Sequence, residues 1–321
     1  MKNLIAIVAG DPISVNSEII AKSWKKSKKK IRKDMFVIGS FDLIKRQLEA
    51  IKIKIPLKPI KKITQTGDSK KLQILDVPVK FSKPFAIKDS ANSEYVLKCI
   101  EVAHILSKNR EICGFINCAV NKKKIFKSKY NGMTEYLAKK NKLNNSEVML
   151  IFNKKLSVVP LTTHISLKNV PKKINKIIIE KKILILNSFF KRFNKRKPRI
   201  GVLGLNPHNN EMKKGSEELK IIKPAIDNLK RKGCKILGPL PSDTIFSNIS
   251  KFNFDVIVGM YHDQVLAPFK SLFKYDAINI TLGLKYIRVS PDHGVAIDLI
   301  KKRKANSESL MNCIKFIHSF K

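Results

Sequence analysis

Between Asp255 and Gly294 the chain reads DVIVGMYHDQVLAPFKSLFKYDAINITLGLKYIRVSPDHG, and this stretch restricts the fold more than any other. Val256, Ile257 and Val258 form a short apolar run that stops at Gly259, which predicts a buried strand. Tyr261, His262, Asp263 and Gln264 follow at its carboxyl end, where open α/β sheets place ligands. Lys270, Asn279 and Arg288 come next at intervals, with a second strand-like run, Ala277 to Thr281, among them. An imidazole, an ammonium, an amide and a guanidinium so close in sequence suit an anionic substrate and a metal.

Runs of the same kind recur. Leu4 to Ala9 ends in Gly10-Asp11-Pro12, and Glu18-Ile19-Ile20 then enters a helix capped by Ser14, Asn16 or Ser17. Met35 to Ile38 is the next strand, so the chain opens strand, turn, helix, strand, as α/β proteins do. Ile112 to Val120 and Ile200 to Leu203 read as further buried strands, the latter running into Gly204-Leu205-Asn206-Pro207-His208. Val148 to Phe152 and Leu156 to Pro160 read as a strand pair leading into His164. Helical periodicity covers Ser93 to Asn109, where His104 reads as structural, then Asn169 to Asn187, Glu211 to Arg231 and Asn306 to Phe320. Gly238 to Thr244 reads as a proline-stiffened loop, while residues 41–90 show no clear order of elements. Thr134 and Glu135 look like a helix start. Free N–H groups and a hydroxyl there can hold a phosphate, although Thr134 by itself reads as a cap.

A chain of 321 residues with this content suggests about two domains. Its formal net charge is +40, carried by lysines scattered along the whole length, unlike the focused, arginine-rich patch of a nucleic-acid binder. The pattern therefore predicts a solvated surface and no specific nucleic-acid partner. Five cysteines, Cys99, Cys113, Cys118, Cys234 and Cys313, lack CxxC spacing and read as reduced core residues of a cytoplasmic protein. No apolar run approaches the roughly 20 residues of a membrane span.

His164, His208 and His262 each follow an apolar strand-like run beside polar or conformationally special residues. One such histidine would ordinarily be structural. Three of them suggest a neutral imidazole set suited to zinc or another divalent ion acting as a Lewis acid, although spacing this wide is no motif. His293, in SPDHG, competes as an outer-sphere or cofactor residue.

The segments GLNPH (204–208), GPLPSDTIF (238–246), MYHDQ (260–264), NITLGL (279–284) and IRVSPDHGVAIDL (287–299) resemble the 4-hydroxythreonine-4-phosphate dehydrogenase (PdxA) family of pyridoxal phosphate biosynthesis. GDP (10–12), NGMTE (131–135) and TTHISL (162–167) fall in the matching order. The resemblance implies a two-domain α/β fold like isocitrate and isopropylmalate dehydrogenases. Residues 1–135 with 280–321 would form one domain, and 136–279 the other, with the metal ligands and dimer interface. It implies a cytoplasmic homodimer with its active site in the cleft at the interface. NAD or NADP would oxidise 4-phosphooxy-L-threonine to a β-keto acid that decarboxylates to 3-amino-2-oxopropyl phosphate. A paralogous dehydrogenase of threonate or erythronate phosphate is the alternative, and a non-catalytic RNA-binding relative a more distant one.

By the same resemblance, His164, His208 and His262 are ligands for Zn, Mg or Co, the last reaching the partner subunit's site. Lys270, Asn279 and Arg288 contact substrate, and Thr134, with Met133 beside it, its phosphate. Gly10, Asp11, Asn206 and His293 take cofactor-binding positions. The general base stays open among Lys270, Asp243 and Asp263. Three departures stand out: Met133 replaces a family histidine, and Ser14 and Asn16 replace glycines of the early loop. Lys301 and Arg303 occupy glycine positions near the C-terminus, with Asn306 there in place of an aspartate. Lysines such as Lys122 could compensate for Met133.

Overall fold

The computed structural model describes residues 4–320 apart from 128, 131, 144, 145 and 275, so Asn131 of the NGMTE segment lies outside the described residues. The chain has an α/β fold of two compact units, Met1–Tyr136 with Lys285–Lys321, and Leu137–Leu284. The sequence-based boundary at 279/280 would have cut through a strand.

The first unit contains β1 (Ile5–Val8), β2 (Met35–Gly39), β3 (Leu57–Ile60), β4 (Leu72–Asp76) and β5 (Gly114–Asn117). The second contains β6 (Val148–Phe152), β7 (Ser157–Pro160), β8 (Arg199–Leu203), β9 (Lys235–Leu240), β10 (Val256–Gly259) and β11 (Ile278–Leu282). The chain then returns to the first unit with β12 (Ile287–Pro291).

In the first unit the strand order is β3-β4-β2-β1-β5-β12, and every pairing is parallel. Ile5 lies opposite both Met35 and Gly114, so the central strand is paired on both edges. Its residues are buried throughout, which is why the run is wholly apolar instead of alternating. Fully burying each such side chain contributes about 1.5–3 kcal/mol. The helix Asp89–Lys108 packs on β1, β2 and β5, and the helix Glu308–Ser319 on β1, β5 and β12. Within the first helix His104 Nδ1 meets the Tyr286 hydroxyl at 2.8 Å, the structural role expected of it.

In the second unit the order is β11-β6-β7-β10-β8-β9. β6 runs antiparallel to both β11 and β7, as the expected strand pair requires, and the rest is parallel. Its core gathers Leu156, Leu203, Ile257, Val265 and Phe269. Among the described residues no helix is long and apolar enough to cross a membrane, and none of the five cysteines forms a disulfide.

Several sequence-based boundaries shift. The helix expected from Asn169 is two, Val170–Lys173 and Lys176–Asn194, because Asn175 caps the second by accepting from Ile178 N at 2.9 Å. The helix expected from Glu211 begins only at Glu218 as a π-turn (Glu218–Ile222) and continues as Lys223–Arg231. Gly238-Pro239 is not loop but part of β9, and a short helix, Ser242–Ile245, follows. The first helix, Asn16–Lys26, has no side-chain bond from its cap residue Val15; Ser14 Oγ instead accepts from Asn16 N at 3.1 Å.

The loop after β1 is tied down by a buried carboxylate. Asp11 is 2% exposed and accepts from Ile13 N (2.9 Å), Asn92 Nδ2 (3.0 Å) and Asn121 N (3.1 Å). It joins the β1 loop, the helix Asp89–Lys108 and the segment after β5. Gly10 beside it has φ +75, and a Cβ there would sit 2.6 Å from the Ala119 carbonyl oxygen. Substituting Asp11→Ala strands one buried and two part-buried donors, so the thermal midpoint should fall by the equivalent of about 2–4 kcal/mol. Asp11→Asn, which keeps acceptor capacity on one oxygen, should lose less in the same melting experiment.

Candidate active site

Three loops at carboxyl ends of second-unit strands carry the three histidines. The loop after β7 holds His164, which is exposed. Its approach is fixed by Leu161 N donating to Gly259 O at 2.8 Å and by Thr162, whose N and Oγ1 both donate to Met260 O (3.2 and 2.7 Å). The loop after β10 holds His262 as the first residue of the helix His262–Phe273, which also carries Asp263 and Lys270. His262 Nδ1 meets Asp263 Oδ1 at 2.7 Å. The His164 and His262 rings lie 5.8 Å apart between centroids.

The loop after β8 holds His208 in an unusual backbone. His208, Asn209, Asn210, Glu211 and Met212 all have positive φ, between 47° and 56°. A left-handed turn of L-residues is unfavourable by about 1–2 kcal/mol per residue, less for asparagine. Strain of that size persists only where surroundings impose it. Here they do. Glu218, wholly buried, accepts from Leu205 N and Asn206 N at 2.8 Å each and from Asn206 Nδ2, and Asn209 Nδ2 donates to Pro239 O at 3.2 Å. Asn206 is thus engaged with Glu217 and Glu218. His208 Nδ1 stands 3.9 Å from Asp243 Oδ2. Burial alone would raise the Glu218 pKa, but the Asn206 and Leu205 donors outweigh it and hold the carboxyl below its usual range. On β11, Asn279 has a buried Oδ1 with no hydrogen-bond partner.

The first unit carries the remaining candidates. Met133 and Thr134 open the helix Met133–Lys140; Met133 is 3% and Thr134 8% exposed. Arg288, on β12, is 3% exposed and its Nε donates to Asn117 Oδ1 at 2.5 Å. Burial pushes its guanidinium down to about 10, which leaves it charged at neutral pH. His293 Nδ1 faces Gly294 O at 2.9 Å, while its Nε2 is buried without a hydrogen-bond partner. Glu218, Gln264, Thr162 and Asn117 were given no role by sequence reasoning. Gln264 stood inside MYHDQ, but its partners are remote in sequence.

The family model of the pyridoxal phosphate biosynthetic protein PdxA matches residues 32–317. The chain belongs to the PdxA family. It is 39% identical to a 4-hydroxythreonine-4-phosphate dehydrogenase of Aquifex aeolicus, over 99% of this chain and 98% of the relative. It is also 34% identical to a D-threonate 4-phosphate dehydrogenase of Pectobacterium atrosepticum, over 97% of each. A crystal structure of 4-hydroxythreonine-4-phosphate dehydrogenase from Klebsiella pneumoniae superimposes with a TM-score of 0.86 at 31% identity, covering 99% of this chain and 100% of that one.

Among the described residues no set of three histidine, cysteine or acidic side chains converges closely enough to hold a metal. His164 and His262 lie side by side, and a carboxylate on Nδ1, as Asp263 provides for His262, is the usual orienting partner of a ligating imidazole. Donors of this chemistry suit a divalent metal. For a nicotinamide cofactor, the relevant observation is a pair of orphaned buried atoms, Asn16 Oδ1 and His293 Nε2, on loops joined by Val15 N donating to Val295 O at 3.2 Å. Hydroxyl or amide groups would satisfy both.

The departures from the PdxA pattern are absorbed in two ways. Ser14 Oγ donates to Asp11 O at 2.5 Å and Asn16 Nδ2 to Ala119 O at 2.8 Å, so side chains now close the early loop on itself. Lys301 and Arg303, at positions where the family pattern has glycine, have positive φ, at 66° and 58°. Lys301→Gly and Glu211→Gly should therefore each raise stability by about 1 kcal/mol, read as a higher thermal midpoint. Because the folded pKa of Glu218 is depressed, its stabilisation is fully present above the ordinary glutamate range and lost as pH falls through the depressed value. The protection of amides in 204–212, relative to their intrinsic exchange rates, should fall with acid in the wild type, and Glu218→Gln should abolish that dependence.

Proposed function

We propose that this protein is the NAD(P)-dependent dehydrogenase that oxidises 4-phosphooxy-L-threonine to 2-amino-3-oxo-4-(phosphooxy)butanoate, which then decarboxylates to 3-amino-2-oxopropyl phosphate. The observation that carries the reading is full-length similarity to the Aquifex aeolicus 4-hydroxythreonine-4-phosphate dehydrogenase, 39% identical across 99% of the chain. Every metal- and substrate-contact residue type of the family pattern apart from the Met133 position is retained.

NAD or NADP, bordered by Asn16 and His293, would supply the hydride acceptor for the substrate's secondary carbinol carbon. A divalent metal (Zn, Mg or Co) would be held by His164, His208 and His262 and would supply Lewis-acid polarisation. Arg288 and Thr134 bind anionic groups of the substrate: the guanidinium is charged and desolvated, which strengthens its attraction for an anion. Thr134 adds a hydroxyl and backbone N–H groups at a helix start. Asn279 offers an amide oxygen that the protein itself leaves unpaired. Asp263 orients His262, and Asp243 stands beside His208, so both carboxylates serve the histidines. Lys270, reacting as the neutral amine, takes the hydroxyl proton and becomes the ammonium. His293 and Asn16 border the cofactor, whereas Gly10, Asp11 and Asn206 act by shaping the loops.

A homodimer completes this reading. All the exposed large apolar side chains among the described residues except Ile105 and Ile297 lie between Leu137 and Leu284. That concentration suits a second copy docking on the second unit, with the last ligand, His262, reaching the partner's site.

A second reading, oxidation of D-threonate 4-phosphate, is favoured by Met133, a buried thioether that offers phosphate no donor where the family has histidine, and by the 34% identical relative of that name. Purified protein should reduce NAD or NADP with 4-phosphooxy-L-threonine, and chelation should lower the rate at least about a hundredfold. Met133→His should raise kcat/KM for that substrate by about tenfold through one charge-assisted hydrogen bond. A higher kcat/KM for D-threonate 4-phosphate would install the second reading, and turnover of neither would end both.

A further inference from the structure

Just beyond Pro160, Leu203 and Gly259, the last residues of β7, β8 and β10, the chain is still buried at Leu161, Thr162, Gly204 and Met260. Three histidine-bearing loops leave from these ends. One continuous set of hydrogen bonds joins them. Met260, 0% exposed, accepts through its carbonyl from both Thr162 N (3.2 Å) and Thr162 Oγ1 (2.7 Å). Its own N–H donates to Gln264 Oε1 at 2.7 Å. Gln264 Nε2 donates in turn to Gly204 O, also at 2.7 Å. Thr162 and Gln264 are each 8% exposed, so neither has water as an easy substitute partner.

We propose that Gln264 and Thr162 are positioning residues that set the mutual placement of the His164, His208 and His262 loops through the backbone of Met260. The inference rests on the histidine roles given under Proposed function. Glutamine is suited to the place because one terminal amide both accepts and donates, in opposite directions, at a fixed separation. The fold makes room for it at Gly259, where a Cβ would lie 2.9 Å from Gln264 Oε1 and 2.5 Å from Val265 Cγ1. All the linking groups are neutral, so the placement does not vary with pH as a histidine–carboxylate linkage would.

The links can be cut one at a time. Gln264→Glu keeps the acceptor for Met260 N but sets a carboxylate oxygen against the Gly204 carbonyl, severing only the branch to His208. Thr162→Val removes the hydroxyl at constant shape and loosens only the branch to His164, and Thr162→Ser restores it. The full-length protein and its variants are compared by amide hydrogen exchange and by titration with Co2+ followed through its visible absorption. In Gln264→Glu, exchange across 204–209 should rise about tenfold while 161–166 is unchanged, as for one lost hydrogen bond. Cobalt should bind roughly ten- to a hundredfold more weakly, the usual effect of disturbing groups behind metal ligands. Thr162→Val should reverse the localisation, and Thr162→Ser should match the wild type within about twofold.

Unchanged exchange and cobalt affinity in Gln264→Glu would overturn the proposal, as would equal acceleration throughout 137–284, which marks a merely structural residue. Should Gln264→Glu fail to fold, the contrast between Thr162→Val and Thr162→Ser decides. If the wild type binds no cobalt, the metal role of the histidines fails, and local exchange alone judges the positioning role.

Discussion

Where a buried strand ends, its backbone leaves the ladder before it reaches water, and each N–H and C=O in that interval needs another partner. This protein meets the demand with a small number of buried polar side chains. Asp11 serves the loop after β1, Glu218 the loop after β8, and Thr162 with Gln264 the loops after β7 and β10. The histidines that carry the proposed chemistry make few contacts of their own. They are placed by residues that have no chemistry to perform.

The same economy governs charge. A net charge of +40 surrounds the fold, yet Asp11 and Glu218 are held by N–H groups and amides instead of lysines. Bonds of that kind are buried and short, so salt does not screen them as it screens the lysine surface. The proposed anion-binding role falls to a desolvated arginine, Arg288, whose Nε is held by Asn117, a neighbour that does not neutralise it.

Departures from the family pattern show how a fold tolerates lost glycines. At Ser14 and Asn16 the new side chains became hydrogen-bond donors to the Asp11 and Ala119 carbonyls, so added bulk was converted into added order. At Lys301 and Arg303 the backbone is left-handed and the side chains bear the strain. The turn at residues 208–212 belongs with the second kind, held in place by the loops around it.

By itself the sequence determined the alternation of strands and helices, because a buried parallel strand needs an unbroken apolar run and such runs are local. It determined the family too, since GLNPH, MYHDQ and SPDHG are contiguous strings. The tertiary structure decided what acts across distance. Asn16 reaches Ala119 and Gln264 reaches Gly204, pairs that no periodicity connects. The end of the turn that carries His208, from Glu211 onward, reads as helix because Glu211 to Arg231 has helical composition. Its left-handed backbone is imposed by Glu218 and by Asn209 bonding to Pro239, partners that only the folded chain brings near.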